Sequence, residues 1–524
     1  MKFIPFTQIS LQFPSVSKRL SYLIMTIFAF IGAALLLFVT DWGISISPDS
    51  TVYITLARNL LKGYGFSTSQ GSPLTHFPPL YPLLLSLSAL WGQDPLDGAR
   101  IIHVFLFMAT LALSFFIIYR ETSGSITAAI TGLLFLLCSD TVIQVYSYAW
   151  SESLFILPAL AGLWLLSKYP EESKISLLLG SAVLIGLASS TRYAGVFLII
   201  TGFLFILLFS KSRFYRKLIV AACFAAISFL PVFFWLIRNF LVTGTLTDRS
   251  LIIHPITWRH LNDGILTVSQ WFLLPQNCGL DIRYFVLAIF AVIFSTAYIL
   301  LFRFTFKTEG NERTVYFPSI FIIFVFSYCI FVGFSTSFID ADITFDDRIL
   351  FPLYIPGVIA FVCLAYHIWL HYKKSKAVAV SFLLISFSFL TAQVINSVPL
   401  FFLLHNNGNG YSSKYWKHSP IIRVIKSLPD DLVIFTNCPD AVEILTGRSS
   451  RMLPVKFDVS NRRKNENFVL QINYMILQIE NGKAILIYSS LVKRCYLPSP
   501  EEIKRNLHVP ILYTGWDGFI LGTE

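Results

Sequence analysis

The chain has 524 residues, of which 55% are hydrophobic, 16% aromatic and only 13% charged. That balance excludes an ordinary soluble globular protein. The formal net charge of +11 is no nucleic-acid signature, because much of it lies in short pieces between long apolar runs.

The first apolar run, 20–40, follows Lys18 and Arg19, carries no charge and has no small-residue cleavage site behind it. It is expected to remain as an anchor and not to be removed as a signal peptide. The stretch 41–91 comes next. Ser47-Pro48-Asp49-Ser50 is a helix start, with Ser47 or Asp49 as candidate N-cap. Val52, Tyr53, Leu56, Ala57, Leu60 and Leu61 then share one face, with Thr51, Thr55, Arg58 and Lys62 on the other. Such a helix lies in the membrane interface. Gly63 and Gly65 stop it. Pro78-Pro79 opens the apolar segment 80–91, which is shorter than the roughly 20 residues a span needs and reads as interfacial or re-entrant. On spacing alone Asp49 is a helix cap.

Eleven segments are expected to span the bilayer: 20–40, 101–119, 125–139, 153–167, 175–191, 193–210, 218–237, 284–302, 314–339, 349–370 and 377–404. With the N-terminus inside, the cytoplasmic pieces 1–19, 120–124, 168–174, 211–217, 303–313 and 371–376 are dense in Lys and Arg. Lys2, Lys168, Lys373 and Lys374 are among them. This is the pattern of the positive-inside rule. Counting 80–91 as a span would invert every later loop and break it. The 41–91 loop therefore faces outward. Glu152 at a membrane edge, Arg192 between two spans, the loop 238–283 and the acid-rich piece 340–348 share that side.

From about His405 onward the chain is polar. Helical periodicity at 420–428, 440–445 and 468–479 alternates with strand-like runs at 432–435, 484–488 and 509–514. A small α/β domain follows from that alternation. It has no Gly-rich phosphate loop and no metal-ligand spacing, so no catalysis is assigned to it. The expected division is a transmembrane domain 1–404 and an extracytoplasmic domain 405–524. Cys438 and Cys495 share the second and could pair. No Asn begins an N-x-Ser/Thr acceptor, which for so much outward loop favours a bacterial inner membrane.

The pattern Pro48-Asp49-x-x-x-Tyr53-x-x-x-Ala57-x-x-Leu60, then Gly63, Gly65-Phe66 and Pro78-Pro79-Leu80, resembles the first outer loop of the lipid-carrier-dependent glycosyltransferases of the GT-C fold. Protein O-mannosyltransferases and the lipid A aminoarabinose transferase belong to that group. Trp150-Ser151-Glu152-Ser153-Leu154, Thr191-Arg192-Tyr193, Trp235-x-x-Arg238-Asn239 and Asp347-Arg348-x-Leu350-x-Pro352 are similar to later features of it. The chain departs twice from the pattern. Asp49 is followed by Ser50 where many relatives carry a second acid. His76-Phe77 precedes the double proline where the aminoarabinose branch has a Lys.

The resemblance implies an all-α polytopic membrane enzyme of about eleven spans, with interfacial helices in its first outer loop and the small α/β domain at its C-terminal end. It implies a polyprenyl-phosphate sugar as donor, with membrane lipid around it and an extracytoplasmic acceptor. Asp49 would be the general base and Glu152 the second acid. Arg58, Lys62, His76, Arg192, Arg238 and Arg348 are the candidate donor-phosphate residues, Arg suiting the role best through its planar fork. Tyr53, Tyr81 and Asn239 are candidates for positioning substrate. Against these stand plainer roles: Arg58 and Lys62 as snorkelling cations, His76 as a packed turn residue, and Asp340–Asp347 as a solvated loop. No metal or other cofactor is expected, for want of ligand spacing. The rival expectation is a transporter or flippase of an amphiphilic lipid-linked substrate. That reading calls for internal repeats and broken helices near the midplane.

Overall fold

A backbone crossing a bilayer must satisfy every N–H and C=O within its own segment, so long apolar runs fold as helices. All eleven apolar segments do so. The structure, a computed structural model, describes residues 17–523 apart from 250, 273, 275, 276, 308–312, 373–375, 507 and 508.

The helices of the first part are α1 (Lys18–Val39), α2 (Pro48–Leu61), α3 (Leu80–Ser86), α4 (Pro95–Glu121) and α5 (Ile126–Leu137). They continue as α6 (Asp140–Ser147), α7 (Glu152–Glu172), α8 (Ile175–Thr191), α9 (Val196–Phe209) and α10 (Phe214–Thr243). The last five are α11 (Trp258–Trp271), α12 (Leu280–Lys307), α13 (Arg313–Phe338), α14 (Asp347–Tyr372) and α15 (Lys376–Asn407). Among the described residues α1, α4, α7, α10, α12, α13, α14 and α15 are long and apolar enough to cross a membrane. The other three expected spans fall short. α8 has 17 residues and α9 has 14, and α5 meets α6 at a 61° bend. Length thus supports eight spans, or nine if α5–α6 is one broken span, against the eleven expected. α4, α7, α13 and α14 are the most buried of the eight, whereas α1, α10, α12 and α15 carry exposed Phe30, Phe234, Phe285 and Phe387. An apolar rim of that extent is what lipid covers. This is a multi-pass membrane protein.

Lys168 departs from its expected place. α7 runs on to Glu172, so Lys168 is buried and salt-bridged to Glu121 at the end of α4. Trp164 Nε1 donates to the same carboxylate at 2.7 Å. A charge can be buried there because it is paired and hydrogen-bonded. Lys2, Lys373 and Lys374 lie outside the described residues.

The tail carries α16 (Lys414–Lys417), α17 (Pro420–Ser427), β1 (Val433–Thr436), α18 (Pro439–Thr446) and β2 (Arg451–Met452). After them come α19 (Phe468–Glu480), β3 (Ala484–Ser489), α20 (Pro500–Asn506), β4 (Ile511–Gly515) and β5 (Gly518–Leu521). The sheet order is β2-β1-β3-β5-β4. β1 is parallel to β2 and β3, and β5 is antiparallel to β3 and β4. β3 is buried along its whole length, as its unbroken apolar run requires. Cys438 and Cys495 do not pair; both are free thiols, one buried and one exposed.

Past α15 the chain returns over the first loop. Tyr411 N donates to Ile46 O at 2.9 Å and Ser412 Oγ to Ile44 O at 2.6 Å. On the other side Ser45 N donates to Ser147 O at 2.7 Å and Ala149 N to Ser45 O at 2.9 Å. Residues 44–46 are therefore an extended segment held between two others. Gly410 makes this possible. Its φ is +55°, and a Cβ there would lie 2.1 Å from Ile46 O. The first loop and the tail share one end of the helical bundle.

The polar face of α2 is not left open to solvent. Thr51 and Thr55, assigned to its polar face, lie under α18. Thr51 is buried, and Thr55 Oγ1 donates to Glu443 Oε1 at 2.6 Å. α3 and the 3-10 turn Leu87–Trp91 do present an apolar edge, with Leu83, Leu87, Leu90 and Trp91 exposed.

Candidate active site

Three helix starts converge at this end of the bundle. Ser47 caps α2, its Oγ accepting from Ser50 N at 3.3 Å, which puts Asp49 in the first turn. Glu152 is the first residue of α7 and Arg348 the second of α14. Arg192 caps the C-terminal end of α8 with extended backbone, and the turn beyond it closes tightly. A Cβ on Gly195 would sit 2.4 Å from Ser189 Cα.

These four charges form one network. Arg348 Nη2 lies 2.6 Å from Asp49 Oδ2, and its Nε lies 2.6 Å from Glu152 Oε1. Arg192 Nη1 is salt-bridged to the same Glu152 oxygen and donates to Ser151 Oγ at 3.2 Å. The Arg348 guanidinium also stacks over Trp150, 4.7 Å from the ring centroid. Trp150 Nε1 in turn donates to Ser47 Oγ at 2.8 Å, tying the α2 cap to the start of α7. Tyr53 OH is 3.2 Å from Ser151 Oγ. Glu152 has no exposed side-chain surface, whereas 34% of the Asp49 side chain is open. Glu152 is thus the fixed anion between two guanidinium groups, and Asp49 the accessible one. Burial pushes the Asp49 carboxyl up, but the adjacent Arg348 overrides this and holds it below the ordinary carboxylate range. Burial, with Asp49 adding to it, pushes the Tyr53 phenol well above its usual value, so it stays a neutral hydroxyl. Among the described residues no three His, Cys, Asp or Glu side chains are grouped as a metal would need.

Residues 76–235, under a third of the chain, match the family model described as dolichyl-phosphate-mannose-protein mannosyltransferase. That stretch holds Glu152 and Arg192 but neither Asp49 nor Arg348. No curated protein matches the chain by sequence. Solved structures match it over nearly its whole length. ArnT from Cupriavidus metallidurans bound to undecaprenyl phosphate is 11% identical with a TM-score of 0.57, over 95% of this chain and 97% of that one. The arabinofuranosyltransferase AftD from Mycobacteria is 13% identical with a TM-score of 0.54, over 97% of this chain and 40% of that one. The archaeal oligosaccharyltransferase AglB from Archaeoglobus fulgidus, in complex with an inhibitory peptide and a dolichol-phosphate, is 12% identical. Its TM-score is 0.51, over 90% of this chain and 70% of that one. The chain has the GT-C fold.

Within that GT-C framework the expected site residues divide into four sets. Asp49, Glu152, Arg192, Arg348 and Tyr53 meet, as described. Tyr81 stands one layer behind, edge-on to Tyr53 at 5.0 Å and 2.7 Å from His103 Nε2 through its hydroxyl. Arg238 and Asn239 flank the loop 63–79, which holds His76. Arg238 Nη1 donates to Leu74 O at 2.9 Å, and Asn239 Nδ2 to Leu246 O at 3.0 Å. Tyr193 OH donates to Thr75 O at 3.1 Å. Arg249 donates to His76 Nε2 at 3.0 Å, which leaves Nδ1–H for Asp248 at 2.9 Å. Arg58 and Lys62 lie apart, at the far end of α2, with Arg58 roughly 14 Å along the axis from Asp49. The Arg58 guanidinium is engaged by Asp94, with Nη2 to Oδ1 at 2.7 Å and Nε to Oδ2 at 2.9 Å. Of the acid-rich loop, Asp347 accepts from Thr141 Oγ1 and Trp271 Nε1 at 2.7 and 2.9 Å and is a structural member of the bundle.

Sequence reasoning missed Trp150 and Ser151 as parts of the network. The available signal was an aromatic next to an edge-of-membrane acid, in a chain with outward Arg residues waiting for a partner.

Proposed function

We propose that this protein is an integral-membrane glycosyltransferase that moves a hexosyl or pentosyl group from a polyprenyl-phosphate donor to an extracytoplasmic acceptor, a lipid, glycan or protein. The observation that carries this reading is the Asp49–Arg348–Glu152–Arg192 network at three converging helix starts, in a GT-C fold. The acceptor hydroxyl attacks the anomeric carbon, a new C–O bond forms, and the bond from that carbon to the phosphate oxygen breaks. The hydroxyl proton passes to Asp49. The leaving phosphate is met by the guanidinium groups of Arg348 and Arg192 and by the partial positive charge of the helix starts.

The network explains how the pieces act in sequence. Glu152 keeps both guanidinium groups in place. A donor phosphate arriving at Arg348 competes with Asp49, the more open of its two partners. Drawing Arg348 away removes the charge that holds the Asp49 carboxyl down, and its basicity rises as the acceptor must be deprotonated. The charges sit at helix ends on the side that carries the tail and not at mid-bundle, which favours an enzyme over a transporter. Purified protein given polyprenyl-phosphate-linked sugars and envelope lipids or peptides is expected to form a covalent product and release polyprenyl phosphate. Movement of the lipid-linked sugar across vesicles without transfer would decide for the transporter.

The reading places residues 1–404 in the bacterial inner membrane with the N-terminus cytoplasmic, and residues 405–524 as an extracytoplasmic domain. It follows that reporters inserted between Gly71 and Thr75, or fused after the tail, report the outer side. A cytoplasmic signal from either removes the proposed site from that face.

A further inference from the structure

The tail touches the chain on both sides of Asp49. Ahead of it, Tyr411 N holds Ile46 O at 2.9 Å. After it, Thr51 Oγ1 lies 3.5 Å from Asp440 O, and Thr55 Oγ1 donates to Glu443 Oε1 at 2.6 Å. The other Glu443 oxygen accepts from Ser69 Oγ at 2.9 Å, so one carboxylate joins α2 to the loop that follows it. Asp440 ties these contacts together. It accepts from Tyr411 OH, and Arg494 Nη2 donates to its Oδ1 at 2.8 Å and its Oδ2 at 3.0 Å, with both members of the ion pair largely buried. α18 is thereby fixed to the segment holding Ile46 and to the loop after β3. A helix of 14 residues that does not span has little stability of its own and takes its position from what packs on it.

We propose that Glu443 and Asp440 of the C-terminal domain are positioning residues for Asp49, so that the tail completes the active site. This rests on Asp49 being the base. Neither residue touches substrate; both act through α2, setting how closely Asp49 meets Arg348. The charged and titratable groups around Asp49 are Arg348 of α14, Arg192 of α8, Glu152 of α7, Tyr53 of α2 itself and His76 of the following loop. None of these belongs to the tail, so the tail is expected to act on Asp49 chiefly through the position of α2.

The test uses the full chain in lipid nanodiscs, with Glu443→Ala, Glu443→Gln and Asp440→Asn. In Glu443→Ala the amides of residues 49–57 are expected to exchange with solvent at least ~10-fold faster, while those of α4 and β3 keep their rates. Turnover falls roughly 10- to 100-fold while donor KM holds or falls, since Arg348 is less engaged by Asp49. The acid limb of the pH–rate profile moves to higher pH, because Asp49 drifts from Arg348. Glu443→Gln keeps an acceptor for Thr55 and restores most of the rate, and Asp440→Asn behaves as Glu443→Ala. Wild-type exchange over 49–57 in both Glu443→Ala and Asp440→Asn overturns the proposal. So does a rate lowered equally at every pH, which is the signature of a smaller folded fraction. Should Asp49→Asn keep full activity, the base assignment fails by itself, and the exchange data still decide whether the tail holds α2.

Discussion

Asp49→Asn is expected to lower sugar transfer roughly 10²- to 10⁴-fold, the range lost with a general base, while the protein stays folded. The amide keeps the size of the side chain and can still accept a hydrogen bond from Arg348. The α2 cap is Ser47 and is untouched, so the stability loss should be under ~2 kcal/mol. Donor binding should hold or tighten, since Arg348 gives up an anionic partner and offers more to a phosphate. The pH dependence has a definite sign. The Asp49 carboxyl in the folded chain lies below its unfolded value of 3.8. Its pairing with Arg348 therefore stabilises the fold fully above that value and is lost as pH falls through the folded one. Asp49 is therefore expected to be ionised throughout the neutral range, with the acid limb of wild-type kcat/KM, which reports the free enzyme, below ordinary carboxylate pH. Transfer assays, donor affinity and thermal unfolding of the purified variant check all three. Full activity would end the assignment of Asp49 as base.

The elements were largely legible because each follows from a local rule. Apolar runs in lipid must be helices, Ser47-Pro48 must start one, and the alternation after residue 420 gives an α/β tail. The missed pieces there are β2, two exposed residues, the short helix α20, and β5, which depends on a turn anchored by buried Asp517 accepting from Ser419 Oγ at 2.6 Å. Span number was not legible. Whether a 14-residue helix such as α9 crosses depends on its neighbours, and hydropathy does not contain them.

The charged residues that cluster at the three helix starts stood out singly in the sequence, but their pairing did not. Acids and arginines at a membrane edge are costly and stand out singly. Nothing in their spacing says that Arg348 meets Asp49 and Glu152 while Arg58 meets Asp94. That choice is made by α14 packing beside α7. Thr51 and Thr55 show the opposite failure. On a helical projection they are an exposed polar face, and only the presence of α18 buries Thr51 and gives Thr55 a partner.

Glu152→Gln should act differently from Asp49→Asn, and the contrast separates anchor from base. Glu152 is fully buried and its carboxylate serves both Arg348 and Arg192. Replacing it with an amide leaves two guanidinium groups in a closed space with Asp49 as their nearest anion. Removing one partner of a buried ion pair typically costs about 3–5 kcal/mol, because the charge left behind is uncompensated. Here two cations lose their shared partner, so the upper part of that range is expected, seen as a lower midpoint in chemical or thermal unfolding. Turnover should fall as well, for a second reason. Arg348, released from Glu152, settles on Asp49 and holds its carboxyl further down, a poorer base facing a misplaced phosphate clamp. Both effects should ease if a bound polyprenyl phosphate supplies the missing negative charge, so the ligand should stabilise Glu152→Gln more than the wild type. A variant as stable as the wild type yet inactive would show instead that Glu152 itself meets the reacting atoms, and the base would then have to be sought there.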